Sequence, residues 1–269
     1  AIFCLHRVLP DKQVVDDIGP NSNLALSESF FSELMDFLSK RYRIISIDDL
    51  LEHLQSGSKE FVVCLTFDDG YRDNLLHVLP ILEQFKCPAT IYISTRFAEG
   101  DSWMWWYEVW EKLLHSEQLD LKFEGIEGKW DCSNVIKKKH CYSYLCSTMI
   151  KLTLEKQNQF LAAVTGTYER RSYSNICLDW DEILQLDHHP LITIGAHSHS
   201  HPVLALENIE KARDEIIKSK HILEERLGHS VVHFAYPFGS TKDAGPREYQ
   251  LARECGFKTA TTTRCYPAS

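Results

Sequence analysis

Nothing in the chain is long and apolar enough to cross a bilayer, and no signal peptide is visible in it, so no membrane span is expected from these residues. An excess of positive charge is missing as well. The formal net charge is -9, which argues against a general nucleic-acid binder and against an anionic membrane surface as a partner. The one basic run, Lys137-Lys138-Lys139-His140, reads as a solvated face rather than a phosphate site. CxxC spacing is also absent: the nine cysteines are odd in number and scattered, which favours a reducing, cytoplasmic compartment over a disulfide framework. Cys4, Cys64 and Cys87 fall inside apolar runs and are expected in the core. Cys132, Cys141 and Cys146 lie closer together but lack a fourth ligand at zinc spacing.

What is present can build a large core. With 269 residues and 44% hydrophobic content, the chain has material for one barrel-sized domain or two smaller ones. Apolar runs at 1–8, 42–45, 61–67, 89–94, 191–194, 231–236 and 258–263 predict strands. They alternate with amphipathic stretches at 27–38, 47–54, 75–85, 180–186, 207–227 and 247–255, the first capped by Ser27 and the third bent near Pro80. Such alternation predicts a parallel α/β sheet, open or closed. From about 97 to 178 the rhythm breaks into aromatic clustering and polar helical runs, which reads as a mostly helical insertion. Within it Trp103, Trp106 and Trp110 share one helical face, a stripe that fits core packing better than sugar stacking.

Two stretches carry chemistry. The run 61–67 (FVVCLTF) reads as a strand covered on both faces and ends in Asp68-Asp69-Gly70. Adjacent carboxylates there need a metal, a base partner or dense hydrogen bonding to stay ionised, although a turn whose aspartates cap the next helix would also account for them. The second stretch, Gly195-Ala196-His197-Ser198-His199-Ser200-His201-Pro202, sets three histidines in alternation between two breakers, after another apolar run. Three histidines together with a distant Asp pair suit a metal centre.

In chain order, Thr66-Phe67-Asp68-Asp69-Gly70, His197-Ser198-x-x-His201-Pro202 and Tyr236-Pro237-Phe238-Gly239 resemble the first three motifs of the polysaccharide deacetylases, the NodB-type homology domain of carbohydrate esterase family four. The resemblance implies a single domain over 1–269, an α/β fold closed into an irregular (β/α) barrel with the insertion at about 97–178, and a site at the C-terminal ends of the strands. It also implies a metal-dependent hydrolase that removes acetyl groups from N-acetylhexosamine units of a polysaccharide or its precursor. Asp69, His197 and His201 would hold a divalent metal, Zn2+ first, with Co2+, Ni2+ or Mn2+ as alternatives. Asp68 would be the general base, and the backbone N–H of Phe238 would stabilise the oxyanion. His199 is expected to point away from the metal, with Ser198 and Ser200 holding the loop by side-chain hydrogen bonds.

Two departures from the family pattern matter. Ala235 stands where an arginine usually supports the base, and the late Asp/Trp and Leu-x-x-His motifs, the latter supplying the general acid, have no counterpart before Ser269. His6, at the end of the first predicted strand, resembles the histidine that serves as acid in permuted exopolysaccharide deacetylases; a His6 that only hydrogen-bonds at the strand end fits the same residues. Arg7 is a weaker candidate to replace the missing arginine, because its side chain should point to the opposite face. A hydrolase of a non-sugar amide or formyl group and an inactive carbohydrate-binding module are the alternative functions. The retention of Asp68 argues against the module, since a structural metal site has no use for a base.

Overall fold

The computed structural model describes residues 1–16, 19–20, 22–100 and 104–265. In chain order the strands are β1 (Ile2–Leu5), β2 (Arg7–Leu9), β3 (Ala25–Ser27), β4 (Arg43–Ile44), β5 (Val62–Phe67), β6 (Ala89–Ile93), β7 (Gln118–Phe123), β8 (Ile126–Asp131), β9 (Ile192–Ala196), β10 (His233–Ala235) and β11 (Thr259–Thr261). The helices are α1 (Asp11–Asp16), α2 (Glu28–Ser39), α3 (Ile47–Gln55), α4 (Leu79–Phe85), α5 (Thr95–Ala98), α6 (Trp105–Leu114), α7 (Val135–Met149), α8 (Leu154–Thr165), α9 (Trp180–Asp187), α10 (Ile209–Leu227) and α11 (Pro246–Glu254).

One parallel sheet organises the molecule, in the order β1-β5-β6-β9-β10-β11, with β4 lying against the first two residues of β5. It is the curled sheet of an irregular (β/α) barrel; β1 and β11 are its two edges and do not pair with one another among the described residues. Because all neighbours run parallel, the C-terminal ends of β5, β9 and β10 share one rim, and the residues that follow them meet there. β5 is buried along its whole length, as its unbroken apolar sequence requires, whereas Phe61 lies outside it and is exposed.

The predicted strand 1–8 is in fact two strands. The break comes at His6, where side chains from far along the chain take over the backbone groups a ladder would have used. Asn74 Nδ2 donates to the His6 carbonyl (2.9 Å) and Asp73 Oδ1 accepts from the Val8 N–H (3.0 Å). β2 then leaves the sheet and pairs with β3. Ser27 caps α2 as expected, its side chain accepting from the Phe30 N–H. The buried stripe of that helix is Phe31, Met35 and Leu38, while Phe30 and Phe37 face solvent. The bend expected near Pro80 is a turn of π-helix, Asn74–Val78, in which the Leu79 N–H reaches back to the Asn74 carbonyl just before the proline.

The segment 97–178 packs around its own apolar cluster, with Trp106, Val109, Leu119, Leu145, Phe160 and Leu161 at its centre. It contains an antiparallel hairpin, β7–β8, besides its helices. Glu124 and Gly125 turn that hairpin, both in the left-handed region (φ 42° and 85°), which suits a two-residue hairpin loop. Trp106 and Trp110 are buried; Trp103 lies outside the described residues. At its C-terminal end the segment returns to the Asp-Asp loop, where the Leu178 N–H donates to the Gly70 carbonyl and the Arg72 N–H to that of Ile176.

Gly195, just before the histidine loop, is needed for close packing: a Cβ there would sit 2.5 Å from two carbons of the Tyr92 ring. Gly195→Ala should therefore destabilise the protein by about 1–3 kcal/mol through overpacking. The measurement is a urea titration, in which the midpoint should fall at unchanged slope.

Candidate active site

Four left-handed residues shape the site. Asp69 (φ 76°), Ser198 (φ 60°), His201 (φ 57°) and Phe238 (φ 61°) all carry side chains in the region that glycine favours, each at a cost of roughly 1–3 kcal/mol. All lie in the three loops that leave β5, β9 and β10. Such strain persists only where surrounding contacts over-determine it. Here they do: the His201 N–H donates to Ser198 Oγ (3.1 Å), and Thr263 Oγ1 donates to the Phe238 carbonyl (2.9 Å).

The turn at Asp69 separates the two carboxylates. Asp69 Oδ1 lies 3.5 Å from His197 Nε2 and 3.2 Å from His201 Nε2, and it has no hydrogen-bond partner among the described residues. His197 Nδ1 is 2.9 Å from the Ala235 carbonyl. A carbonyl can only accept, so Nδ1 carries the proton and Nε2 presents its lone pair toward Asp69. Burial favours the neutral His197 imidazole and pushes its pKa below the ordinary value, outweighing the attraction of Asp68 for the charged form. Burial alone would raise the Asp69 carboxyl, but the facing imidazoles, His201 foremost, hold it well below the usual range. One carboxylate oxygen and two imidazole nitrogens, all buried and converging within 4.8 Å of one another, fit a divalent metal of the zinc type.

His199 turns away from this centre, as expected: its Nδ1 meets Thr95 Oγ1 at 2.8 Å, and its backbone N–H donates to the Glu215 carbonyl. Ser198 fastens the loop through its side chain, and Glu215 accepts from Ser200 by backbone and side chain. Phe97, Trp106 and Phe238 surround the His201 ring with centroids at 6.0, 5.6 and 4.9 Å, an apolar wall contributed by α5, α6 and the β10 loop. The backbone N–H of Phe238 makes no hydrogen bond among the described residues.

Asp68 faces a different group. Its Oδ2 accepts from Cys4 Sγ (3.3 Å), its Oδ1 has no partner among the described residues, and a ring nitrogen of His6 lies within 4.8 Å of Cys4 and Asp68. His6 is thus brought to Asp68, and its imidazole also acts on the Asp69 carboxyl. Cys4 corrects the expectation of a core residue, which holds for Cys64 and Cys87: it is exposed and its thiol is turned to the site. Its alternation with His6 was the signal that could have placed it. Arg7 finds Asp73, not Asp68 or Asp69, with Nε 2.8 Å from Asp73 Oδ2 and a second bond to Tyr107 Oη. It therefore does not stand at Asp68 in place of the arginine missing at Ala235.

A family model described as polysaccharide deacetylase matches residues 55–124 and 134–260. The chain belongs to the polysaccharide deacetylase family. Membership makes it a deacetylase-type enzyme acting on acetylated polysaccharide. No curated protein matches it. Solved structures share its fold: the Streptococcus pyogenes deacetylase PplD in complex with acetate (17% identity, TM-score 0.61, covering 97% of this chain and 82% of that one) and IcaB from Ammonifex degensii (20%, 0.61, 98% and 83%). The BpsB deacetylase domain from Bordetella bronchiseptica is a third (14%, 0.57, 100% and 89%).

His197→Ala and His201→Ala should each lose the metal equivalent held with Asp69, measured by elemental analysis of purified protein after metal loading. Full metal content in both variants would remove these residues from the ligand set.

Proposed function

We propose that the chain hydrolyses the acetamide of N-acetylhexosamine units in a polysaccharide or its precursor, using a divalent metal, Zn2+ by preference, held by Asp69, His197 and His201. The observation that carries this reading is the division of the Asp pair: Asp69 faces two imidazole nitrogens, while Asp68 keeps a free oxygen beside His6. When bound, the metal supplies Lewis-acid polarisation of the acetyl carbonyl and acidifies water.

The chain's own residues do the rest. Asp68 accepts a proton from the attacking water, which adds to the carbonyl carbon. The Phe238 N–H, which makes no hydrogen bond among the described residues, donates to the oxyanion of the tetrahedral intermediate. His6 gives a proton to the sugar nitrogen as the C–N bond breaks, because an amide anion is too poor a leaving group. The products are acetate and the free amino sugar. The aromatic wall around His201 excludes water and strengthens these electrostatic contacts.

Acetate release from acetylated chito-oligomers, free acetylated sugars and simple amides, assayed with metal-loaded protein, tests the reading. Release from simple amides alone would favour a non-sugar amidase, and none at all a binding module. Asp68→Asn should keep the ion held by Asp69, His197 and His201 but lose about 10² to 10⁴ in rate, as expected for a lost general base. Asp69→Asn should instead lose that ion, so Co2+-shifted ring-proton signals of His197 and His201 appearing in both variants would refute the division of labour.

His6→Ala should nearly abolish hydrolysis of an acetamide while largely sparing an activated aryl acetate, whose leaving group needs little protonation. Equal loss on both substrates would remove His6 as the acid.

A further inference from the structure

We propose that Cys4, His6 and Asp68 form a second metal site, suited to a borderline-soft divalent ion such as Zn2+, Co2+ or Cd2+, beside the Asp69-His197-His201 centre. Strand register assembles it. Cys4 stands opposite Thr66 in the β1–β5 ladder, and the Asp68 N–H continues that ladder by donating to the Leu5 carbonyl (2.9 Å). Cys4 and Thr66 are thus neighbours in the ladder, and His6 and Asp68 follow just beyond the ends of the two paired strands. The Cys4 Sγ, a His6 ring nitrogen and an Asp68 carboxylate oxygen all lie within 4.8 Å of one another.

The carboxylate points to a ligand. Asp68 is only 6% exposed, and its Oδ1 has no hydrogen-bond partner among the described residues. A buried oxygen with a free lone pair, next to a thiol and an imidazole, is a set that a zinc-like ion satisfies. Cys4 is exposed, so the ion has a way in and solvent can complete its coordination. On coordination the S–H bond breaks, the sulfur electron pair goes to the ion and the proton leaves to solvent. The consequence for activity rests on the deacetylase reading: an ion here engages both Asp68 and His6, so excess metal inhibits by occupying the base and the acid together. The site itself does not depend on that chemistry.

The test is a Co2+ titration of the full chain after chelator treatment, read by bound equivalents and by thiolate-to-cobalt charge-transfer absorption in the near ultraviolet. The unaltered chain should bind two equivalents, one of which brings the charge-transfer band. Cys4→Ser and Cys4→Ala should each bind one equivalent without the band, the retained equivalent reporting an intact fold. His197→Ala should keep the band. A single equivalent in the unaltered chain, or a band that survives in both Cys4 variants, overturns the proposal. Excess Zn2+ should suppress acetate release by the unaltered chain and lose that effect in Cys4→Ser. Two equivalents and the band without hydrolysis of any acetyl substrate would support this site and overturn the deacetylase reading. Acetate release with one bound equivalent would do the reverse.

Discussion

Two adjacent carboxylates stand at the end of a strand buried on both faces, and neither can remain ionised there without partners. Peptide geometry decides how they find them. On an extended chain neighbouring side chains point to opposite faces, so continuing β5 would direct one carboxylate away from the rim. The left-handed turn at Asp69 ends the strand instead, sending Asp69 to the histidine loop while Asp68 stays beside β1. Gly70 repeats the left-handed backbone (φ 76°), and a Cβ at that position would meet the Ile93 side chain at 3.0 Å. The carbonyl of the same glycine receives the end of the insertion.

Strain is concentrated in the loops of the candidate site. Of the six described non-glycine residues with positive φ, four belong to the Asp, His and Phe238 loops, and their summed cost must be offset by packing elsewhere. The fully buried β5, flanked by Val8, Phe31, Leu82 and Ile91, provides the rigid base from which the Asp loop departs. The β9 loop is braced from behind by Glu215 on α10, which accepts from both His199 and Ser200 through backbone and side-chain oxygens. The segment 97–178 contributes Phe97 and Trp106 to the aromatic wall around His201, so part of that residue's apolar environment comes from outside the strand-helix repeat.

Most of the fold was readable from pattern. Buried parallel strands leave continuous apolar runs, and breakers such as Gly57 and Gly228 mark where helices stop, so β5, β6, β9 and α10 lie close to their predicted positions. The failures share a cause. The split of the first strand at His6 depends on Asp73 and Asn74, more than sixty residues away, and no local signal announces it. Cys4 looked like a core residue because it sits in an apolar run, but β1 is an edge strand whose inner face meets Asp68 rather than hydrocarbon. Arg7 was correctly separated from His6 by alternation, yet its partner proved to be Asp73.

The sequence by itself determined which ligand types are present, their order, and that breakers put them in loops after strands, because residue chemistry and periodicity are local properties. The family resemblance already set Asp69 apart from Asp68; only the tertiary structure shows how they are parted in space, with Asp69 facing His197 and His201 and Asp68 facing Cys4 and His6. That division depends on the register of β1 against β5 and on a single left-handed residue between two carboxylates. Register is a relation between distant segments, and the sign of φ at a non-glycine residue is imposed by its surroundings. Neither leaves a mark in the residues themselves.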